Sequence, residues 1–377
     1  MRIAVLVSND LNFDQRVKKT CKVLEEAGHE PLLLGRELQN SVPYEGPGVA
    51  TRFKLKNTKG VRFYLELQRA MIKWLKKADV DAIWANDLDT LHPAVVVGRK
   101  RGLPVVYDSH EFFTEAAGLT NATMKRFVWL MLEKFTVPKV GQMITVNNSI
   151  AESYRQRYGI RVDVLRNMPV LSDIPEVEHR KPFEEYGVRT DLPIMLLQGA
   201  FMDRDRGTVD AVNALEEITD ATLVLVGAGI EWEESLERVD DPRWKGRLYC
   251  ISRLPYEKLK RLTASADVGL SLDKALHTNY QLSLPNKLFD FIHVGLPIVA
   301  SPMIEVEKIV EEYGVGVVAE EVSTQAIVRA VNEVLSKPKE HWMNACLKAR
   351  ENLHWGADAH IILEQLERSK NQPWVKS

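Results

Sequence analysis

A lysine and an aspartate three residues apart, Lys287 and Asp290, stand where a helix could offer an anion site. Pro285 favours the first turn of a helix and Gly295 favours its end, so the sequence predicts a helix from Asn286 to about residue 294. Lys287 and Asp290 would share one face of it, with Lys287 beside backbone N–H groups that favour a phosphate. A nucleotide diphosphate and its ribose would fit there. The plainer interpretation is a surface helix on which both side chains only face water.

A second loop with phosphate-binding chemistry follows the strand predicted at residues 194–198. One glycine and two arginines give it this potential: Gly199, Arg204 and Arg206. Glycine lets the backbone approach a ligand closely, and guanidinium groups can donate several N–H bonds to phosphate oxygens. We predict that this loop and Lys287 supply positive charge to a single diphosphate. The alternative is that both arginines pair with acids of their own loop, Asp203 and Asp205.

In the first half of the chain, polar side chains follow the strand predicted at residues 105–107, where α/β proteins place functional groups. These side chains are Asp108, His110 and Glu111. We predict that His110 acts directly on a substrate, with the two acids at its side. The alternative is a histidine that bonds to its neighbours for structural reasons only.

Two further polar loops follow strands. Asp87 and Asp89 come after the preceding strand and could hold a divalent cation. Aspartate in this position is more often a helix cap, and we favour that interpretation. The loop after the first strand leads to Asp14 and Arg16 without the glycines of a dinucleotide fingerprint, so a nicotinamide cofactor is not expected.

The composition is that of a globular protein with two domains. At 377 residues the chain exceeds one ordinary core. Its 45% apolar and 27% charged residues are typical of soluble proteins, and the net charge of −2 argues against nucleic-acid binding. Cys21, Cys250 and Cys346 lie far apart without metal-ligand spacing, which predicts reduced thiols in a cytoplasmic protein and no zinc site. No run of residues is typical of a signal peptide or a membrane span.

Short apolar runs alternate with helical patterns, which predicts the α/β class with parallel sheets covered by helices on both faces. The first strands are predicted at residues 3–8, 31–34, 82–85, 105–108, 143–146 and 162–165. After a polar stretch, further strands are predicted at residues 194–198, 222–226, 248–251, 268–272, 297–300 and 316–318. We therefore expect two doubly wound domains, at residues 1–168 and 169–355. A C-terminal helix within residues 356–377 is expected to pack back on the first domain.

A basic amphipathic helix is predicted from Val61 to Lys77, where apolar residues alternate with arginines and lysines. Such a helix can lie on an anionic membrane surface. A stripe that faces the protein core, with lysines in solvent, explains the same pattern. Both interpretations stay open at this point.

The order of the motifs resembles that of glycosyltransferase family 4 enzymes with the GT-B architecture, over nearly the whole chain. Six segments carry the resemblance: residues 13–19 (FDQRVKK), 24–30 (LEEAGHE), 107–111 (YDSHE), 204–207 (RDRG), 265–270 (SADVGL) and 285–290 (PNKLFD). The resemblance implies two Rossmann-like domains that face each other across a cleft. It also implies transfer of a sugar from a nucleotide donor to an acceptor, usually with retention at the anomeric carbon and without an essential metal.

Carried across residue by residue, the resemblance implies that His110 lines the reaction centre and that Arg206 and Lys287 grip the donor diphosphate. Asp290 stands where the family has the second glutamate of a pair eight apart, which holds the ribose hydroxyls. The other residues expected on the donor side are Gly199, Arg204 and Asn286. Those expected on the acceptor side or in the cleft are Asp14, Arg16, Asp108 and Glu111.

Two positions depart from the family pattern. Leu282 stands where the first glutamate is expected, so contacts to the donor sugar must come from elsewhere. Ala200 replaces an arginine common in relatives, and Arg204 could compensate for it. The donor sugar therefore stays open.

The resemblance predicts an enzyme that moves a hexose-type sugar from a nucleotide sugar to a glycan or a lipid-linked acceptor, in cell-surface polysaccharide or glycolipid assembly. No cofactor or metal is expected, and the protein would be cytoplasmic or peripheral at the inner membrane face. The alternatives are a nucleotide-sugar epimerase, which shares the architecture, and an inactive module that binds sugar nucleotides.

Overall fold

The computed structural model describes residues 1–12, 14–39, 41–120, 122–371 and 374. Phe13, the first residue of one motif quoted above, and most of the last six residues lie outside this part. The chain forms two compact units. The first consists of Met1–Asn167 with Asp358–Ser377, and the second of Met168–Ala357.

A seven-stranded parallel sheet forms the centre of the first unit, in the order β3-β2-β1-β4-β5-β6-β7. Its strands are β1 (Arg2–Asp10), β2 (Glu30–Arg36), β3 (Val49–Phe53), β4 (Ala82–Asn86), β5 (Val105–Ser109), β6 (Gln142–Thr145) and β7 (Arg161–Val164). The apolar runs of β1 and β4 are fully buried, as expected for strands covered on both faces. The strand order reverses between β1 and β4, and doubly wound sheets bind ligands at the carboxyl ends of the strands at such a point.

The helices of the first unit are α1 (Gln15–Glu26), α2 (Gly60–Leu75), α3 (Leu88–Arg101), α4 (Ala117–Thr120), α5 (Thr123–Val140) and α6 (Asn148–Tyr158). A short 3₁₀ helix spans Phe113–Glu115. The carboxylate of Asp14 caps α1 by accepting a hydrogen bond from the amide of Val17 at 3.0 Å. Asn147 caps α6 in the same way. These caps fix where each helix leaves the carboxyl edge of the sheet.

The second unit repeats the arrangement with a six-stranded parallel sheet in the order β10-β9-β8-β11-β12-β13. Its strands are β8 (Ile194–Gly199), β9 (Thr222–Gly227), β10 (Leu248–Ser252), β11 (Val268–Ser271), β12 (Ile298–Ala300) and β13 (Gly316–Val318). Here the order reverses between β8 and β11. Gly227 is required by close packing, because a Cβ atom there would lie 2.0 Å from the carbonyl oxygen of Gly199 on the neighbouring strand.

The helices that follow are α7 (Thr208–Ala214), α8 (Ile230–Leu236), α9 (Tyr256–Ser265), α10 (Thr278–Gln281), α11 (Asn286–Val294), α12 (Ile304–Tyr313), α13 (Thr324–Ser336), α14 (Lys339–Arg350) and α15 (Trp355–Asp358). A 3₁₀ helix spans Lys181–Tyr186. The helix predicted from Asn286 is confirmed as α11, with Pro285 at its N-cap and Gly295 in the left-handed conformation after its last residue.

The last helix, α16 (His360–Asn371), belongs to the first unit and contacts α1, β5 and β6. Two ion pairs tie this segment to the end of the sheet. Arg166 binds the carboxylate of Asp358 through Nε and Nη2, each at 2.8 Å, and Arg368 pairs with Asp163 on β7. The chain therefore returns to the first unit after completing the second.

One strand, β3, was not predicted from the sequence. β3 is the edge strand, and each of its residues is exposed or half-buried, so it offers no apolar run. For the basic helix α2, the structure favours the interpretation in which the apolar stripe faces the core. Leu67, Met71 and Leu75 are fully buried, so the stripe of α2 faces the protein core, while Val61 and Leu65 stay exposed.

Candidate functional site

A buried ion pair organises the carboxyl edge of the first sheet. Arg16 on α1 and Asp108 at the end of β5 are 2% and 0% exposed. The guanidinium Nη2 lies 2.6 Å from Asp108 Oδ1, and Nε bonds to both carboxylate oxygens at 3.2 and 3.1 Å. Nη1 donates to the carbonyl of Leu165 at 2.7 Å. Burial would raise the pKa of Asp108, but the charges of Arg16 and His110 and the hydrogen bonds from both together outweigh it and hold the pKa below its usual range.

His110 lies among polar groups from three different elements. Its Nδ1 is 3.7 Å from Asp14 and 3.6 Å from Asp87, and its Nε2 is 3.7 Å from Asp108. Nε2 also lies 3.2 Å from the amide oxygen of Asn86. Burial alone would lower the pKa of His110, but the surrounding carboxylates outweigh it and raise the pKa to about 9. His110 is therefore an imidazolium at neutral pH, able to donate hydrogen bonds and to stabilise negative charge.

The favoured assignment of Asp87 and Asp89 as helix caps is wrong for their side chains. Asp87 occupies the N-cap position of α3 but makes no capping bond. Its carboxylate turns instead to the backbone amide of His110, at 2.8 Å. Asp89 lies inside the first turn of α3. Asp87 has a φ of 61°, a strained value for a non-glycine residue, and this conformation directs the carboxylate towards His110.

Burial has the largest effect on the pKa values of the Asp87 and Asp89 carboxyl groups. It raises the pKa of Asp87 to about 7 and that of Asp89 to about 6, and the neighbouring Glu111 acts in the same direction. Glu111 itself is half-buried, and its carbonyl accepts a hydrogen bond from Ser109 at 2.7 Å. Of the acids predicted on the acceptor side, Asp14 and Asp108 lie beside the imidazole of His110, and Asp87 joins them there.

The raised pKa of His110 gives a pH-dependent stability that can be measured. The folded protein holds this proton up to about pH 9, whereas an unfolded histidine releases it near 6.5. The contribution is therefore complete below pH 6.5 and is lost as the pH rises to about 9. We expect the free energy of unfolding to fall over this range, by on the order of 1 kcal/mol for each unit of pKa difference.

Urea unfolding at a series of pH values, compared between the wild type and His110→Asn, measures this effect. The raised pKa of Asp87 also makes the free energy of unfolding fall as the pH rises, but mainly below its own pKa of about 7. The comparison is therefore made from about pH 7.5 upward, where His110 dominates. Parallel curves for the two proteins in that range would show that His110 is not held as a cation.

In the second unit, two cations converge on one buried carboxylate. Asp273 follows β11 and is 1% exposed. Arg206, in the loop after β8, donates from Nη1 to Asp273 Oδ1 at 2.9 Å. Lys287, in the first turn of α11, places Nζ at 3.2 and 3.1 Å from the two carboxylate oxygens. Arg206 also lies over the ring of Tyr280, 5.0 Å from its centroid.

The charges of this cluster depend on one another. Burial would raise the pKa of Asp273, but Lys287 and Arg206 outweigh it and lower the pKa. Burial lowers the pKa of Lys287, and the neighbouring Arg206 acts in the same direction. Burial would also lower the pKa of Arg206, but Asp273 outweighs it and raises the pKa. The cluster carries one excess positive charge at the switch point of the sheet, which suits an anionic ligand.

Both plainer interpretations of these cations are wrong. Lys287 does not simply face water, since only 11% of its side chain is exposed. The side chain of Arg206 pairs with Asp273 and not with Asp203 or Asp205. The backbone amide of Arg206 donates a hydrogen bond to the carbonyl of Asp203 at 3.0 Å.

The remaining donor-side residues are not all brought to this cluster. Asp290 accepts a hydrogen bond from the hydroxyl of Tyr256 at 3.2 Å, and both line a cavity between α9 and α11. Asn286 is exposed at the start of α11, and Gly199 is half-buried at the end of β8. Arg204 is exposed and makes no hydrogen bond or ion pair with the described residues, so it does not join Arg206 at Asp273.

Comparison with known families assigns the chain. Residues 15–168 match the model of Glycosyltransferase Family 4, and residues 193–337 match that of Glycosyl transferases group 1. The chain belongs to glycosyltransferase family 4. This glycosyltransferase is an enzyme of the hexosyltransferase type with the GT-B fold, in which two Rossmann-like domains follow one another. No curated protein sequence matches the chain.

Solved structures similar to this glycosyltransferase cover nearly its whole length. A sucrose-phosphate synthase from Thermosynechococcus elongatus has 17% identity and a TM-score of 0.77, covering 98% of each chain. Anabaena HepE, solved with UDP-glucose, has 14% identity and a TM-score of 0.74, covering 98% of this chain and 100% of its own. A trehalose-phosphate synthase from Burkholderia vietnamiensis has 12% identity and a TM-score of 0.70, with the same coverage. At these identities the likeness supports the fold.

Sequence reasoning missed two residues of the glycosyltransferase that the structure places beside predicted ones. Asp273 is a single aspartate after an apolar strand, and only the pairing of β11 with β8 brings it to Arg206. Tyr256 begins α9 and reaches Asp290 across the sequence. The rule that sites form where the strand order reverses could have identified Asp273, but no motif signals Tyr256.

The described residues of the glycosyltransferase contain neither a metal-binding cluster nor a membrane-spanning helix. Among the described residues, no three His, Cys, Asp or Glu side chains are grouped so that they could hold a metal ion. Within the same residues, no helix has the length and apolar content that crossing a membrane requires.

Proposed function

We propose that this glycosyltransferase transfers a hexose from a nucleotide-diphosphate sugar, bound by the second unit, to an acceptor bound by the first. The convergence of Arg206 and Lys287 on Asp273 at the sheet reversal supports the donor site most strongly. A diphosphate arriving there would replace Asp273 as the main partner of both cations. The amides at the start of α11 would add further donors to its oxygens. Asp290, with Tyr256 beside it, would hold the ribose hydroxyls.

The proposed reaction follows from the charges. The bond between the anomeric carbon and the diphosphate oxygen breaks, and its electron pair stays on the diphosphate. Arg206 and Lys287 stabilise the charge that develops there. The acceptor oxygen forms the new bond to the same carbon and loses its proton. The carboxylates around His110 favour its protonated form, so its proposed role is to orient hydroxyl groups by donating hydrogen bonds. Retention, with the departing diphosphate as the base and without a metal, suits this arrangement.

The acceptor is proposed to be a glycan or a lipid-linked sugar in cell-surface polysaccharide or glycolipid assembly. The basic face of α2 supports this choice. Arg62, Arg69 and Lys73 are exposed on it, and such residues attract anionic lipid headgroups. The enzyme would then act in the cytoplasm at the inner face of the membrane, without nucleic-acid partners.

A product assay tests the proposal. The protein is incubated with a panel of nucleotide sugars, beginning with UDP-glucose because a similar structure contains it, first alone and then with lipid and glycan extracts. We expect a new glycoside only when an extract is present, and an unchanged rate after addition of a chelator. A new sugar isomer formed from the donor alone would indicate an epimerase. A rise in thermal stability with donor but no product under any condition would indicate a binding module.

A further inference from the structure

The helix α5 of the first unit has an apolar stripe on its solvent side. Its exposed members are Met124, Phe127, Val128 and Phe135, with 78%, 59%, 58% and 57% of their surface accessible. With the half-buried Met131 they follow the spacing i, i+3, i+4, i+7 and i+11, which places them on one face. The opposite face, which includes Trp129 and Val137, is buried in the unit. Exposed apolar groups that are contiguous in this way mark an interaction surface.

The exposed charges of α5 all have one sign. Lys125 and Lys134 are exposed beside the stripe. The helix contains one acid, Glu133, which is fully buried. There Glu133 accepts hydrogen bonds from Arg157 at 2.9 Å and from Tyr158 at 2.6 Å, so its charge does not reach the surface. The solvent side of α5 is therefore both apolar and cationic.

The neighbouring helix α2 has the same character. The rings of Tyr64 on α2 and Trp129 on α5 meet edge to face, with centroids 4.8 Å apart. Val61 and Leu65, one turn apart on α2, are 72% and 49% exposed. The exposed cations Arg62, Arg69 and Lys73 lie on the same helix.

We propose that the solvent-facing stripe of α5 inserts into the headgroup region of an anionic lipid bilayer, with the basic side of α2 against the lipid phosphates. Apolar side chains flanked by lysines are the features that hold a helix in the plane of a membrane interface. This inference deepens the proposed function, because it rests on an acceptor held at a membrane. It also moves the point of insertion from α2, whose stripe is buried, to α5.

A second copy of the chain is the competing occupant of this surface. In a two-fold symmetric contact the stripe of α5 would face itself. Lys125 and Lys134 would then face their own counterparts, with no exposed acid on the helix to pair with them. The charge pattern therefore favours a lipid surface over self-association.

Sedimentation with vesicles tests the inference on the whole protein without measuring turnover. Vesicles of phosphatidylcholine mixed with phosphatidylglycerol are compared with vesicles of phosphatidylcholine alone. We expect binding to the mixed vesicles, weakened by on the order of tenfold for each phenylalanine replaced in Phe127→Ser and Phe135→Ser. Lys125→Gln and Lys134→Gln should weaken it about fivefold each, and added salt should weaken it further.

The matched control replaces exposed apolar residues of the second unit, Leu236→Ser and Met343→Ser, which are 43% and 37% exposed in the wild type. It should bind like the wild type. Equal loss in control and α5 variants, or no binding at low salt, would overturn the inference. So would concentration-dependent self-association that the α5 variants abolish.

Because the donor site is untouched, product formation with a detergent-dispersed acceptor should persist in the α5 variants. A wild type that forms product but binds no vesicles would overturn this inference and leave the proposed transferase standing. A wild type that binds vesicles but forms no product would reject the transferase alone.

Discussion

Replacing either Lys287 or Arg206 with alanine is expected to lower kcat for sugar transfer by about 10²–10³. In the proposed reaction both cations stabilise the diphosphate as it takes up the electron pair of the breaking bond. Among the described residues, Arg206 and Lys287 are the two cations that pair with Asp273, so no third cation there could replace either of them. The measurement is the initial rate of glycoside formation at saturating donor.

Two controls separate this effect from general damage. Arg189→Ala removes an exposed arginine of the same unit that pairs with Asp191, and it should leave the rate unchanged. Circular dichroism and thermal unfolding should show both site variants folded. Rates near those of the wild type in both site variants would rule out Asp273 and its two cations as the diphosphate site.

Replacing Arg16 with methionine is expected to lower the free energy of unfolding by about 3–5 kcal/mol. The change leaves the carboxylate of Asp108, at 0% exposure, with only the more distant His110 as a cation, and it removes the donor to the carbonyl of Leu165. Urea unfolding of the first unit measures the loss.

The comparison for Arg16→Met is Arg2→Met, which breaks the pair of Arg2 with Asp79 at a side chain that is 41% exposed. That variant should lose less than about 1 kcal/mol, because exposed ion pairs contribute little. The double variant Arg16→Met/Asp108→Leu should regain much of the loss, since neither charge of this pair is then left without the other. If Arg16→Met costs no more than Arg2→Met, the buried pair does not organise this edge of the sheet.

The periodic parts of the fold could be predicted from the sequence, since each depends on local pattern. The buried strands of both sheets are short apolar runs between turn residues, and Pro285 and Gly295 mark both ends of α11. β3 could not be predicted in this way. It lies at the edge of the sheet, where Val49 and Thr51 are exposed and little selects for an apolar run.

The contacts of the site depend on pairings that local pattern does not contain. The sequence predicts Lys287 beside a phosphate. Its contact with Asp273, 14 residues away in the chain, depends on how α11 packs against β11. The sequence favours Asp87 as a helix N-cap because aspartate is common at that position. Its positive φ, stabilised by the bond to the amide of His110, depends on a contact with the next strand. The residue types of the site could thus be predicted, but not their partners.

The return of the last helix to the first unit has a consequence for synthesis on the ribosome. The second unit, Met168–Ala357, is one uninterrupted segment and is complete before the chain is finished. The first unit lacks α16 until His360–Asn371 has emerged from the exit tunnel, so the surfaces of α1, β5 and β6 that α16 contacts stay uncovered until then. Vectorial folding from the N-terminus therefore cannot finish the first unit first. A fragment that stops at Asn167 would expose the same surfaces permanently, and a nascent chain needs them shielded while the rest is made.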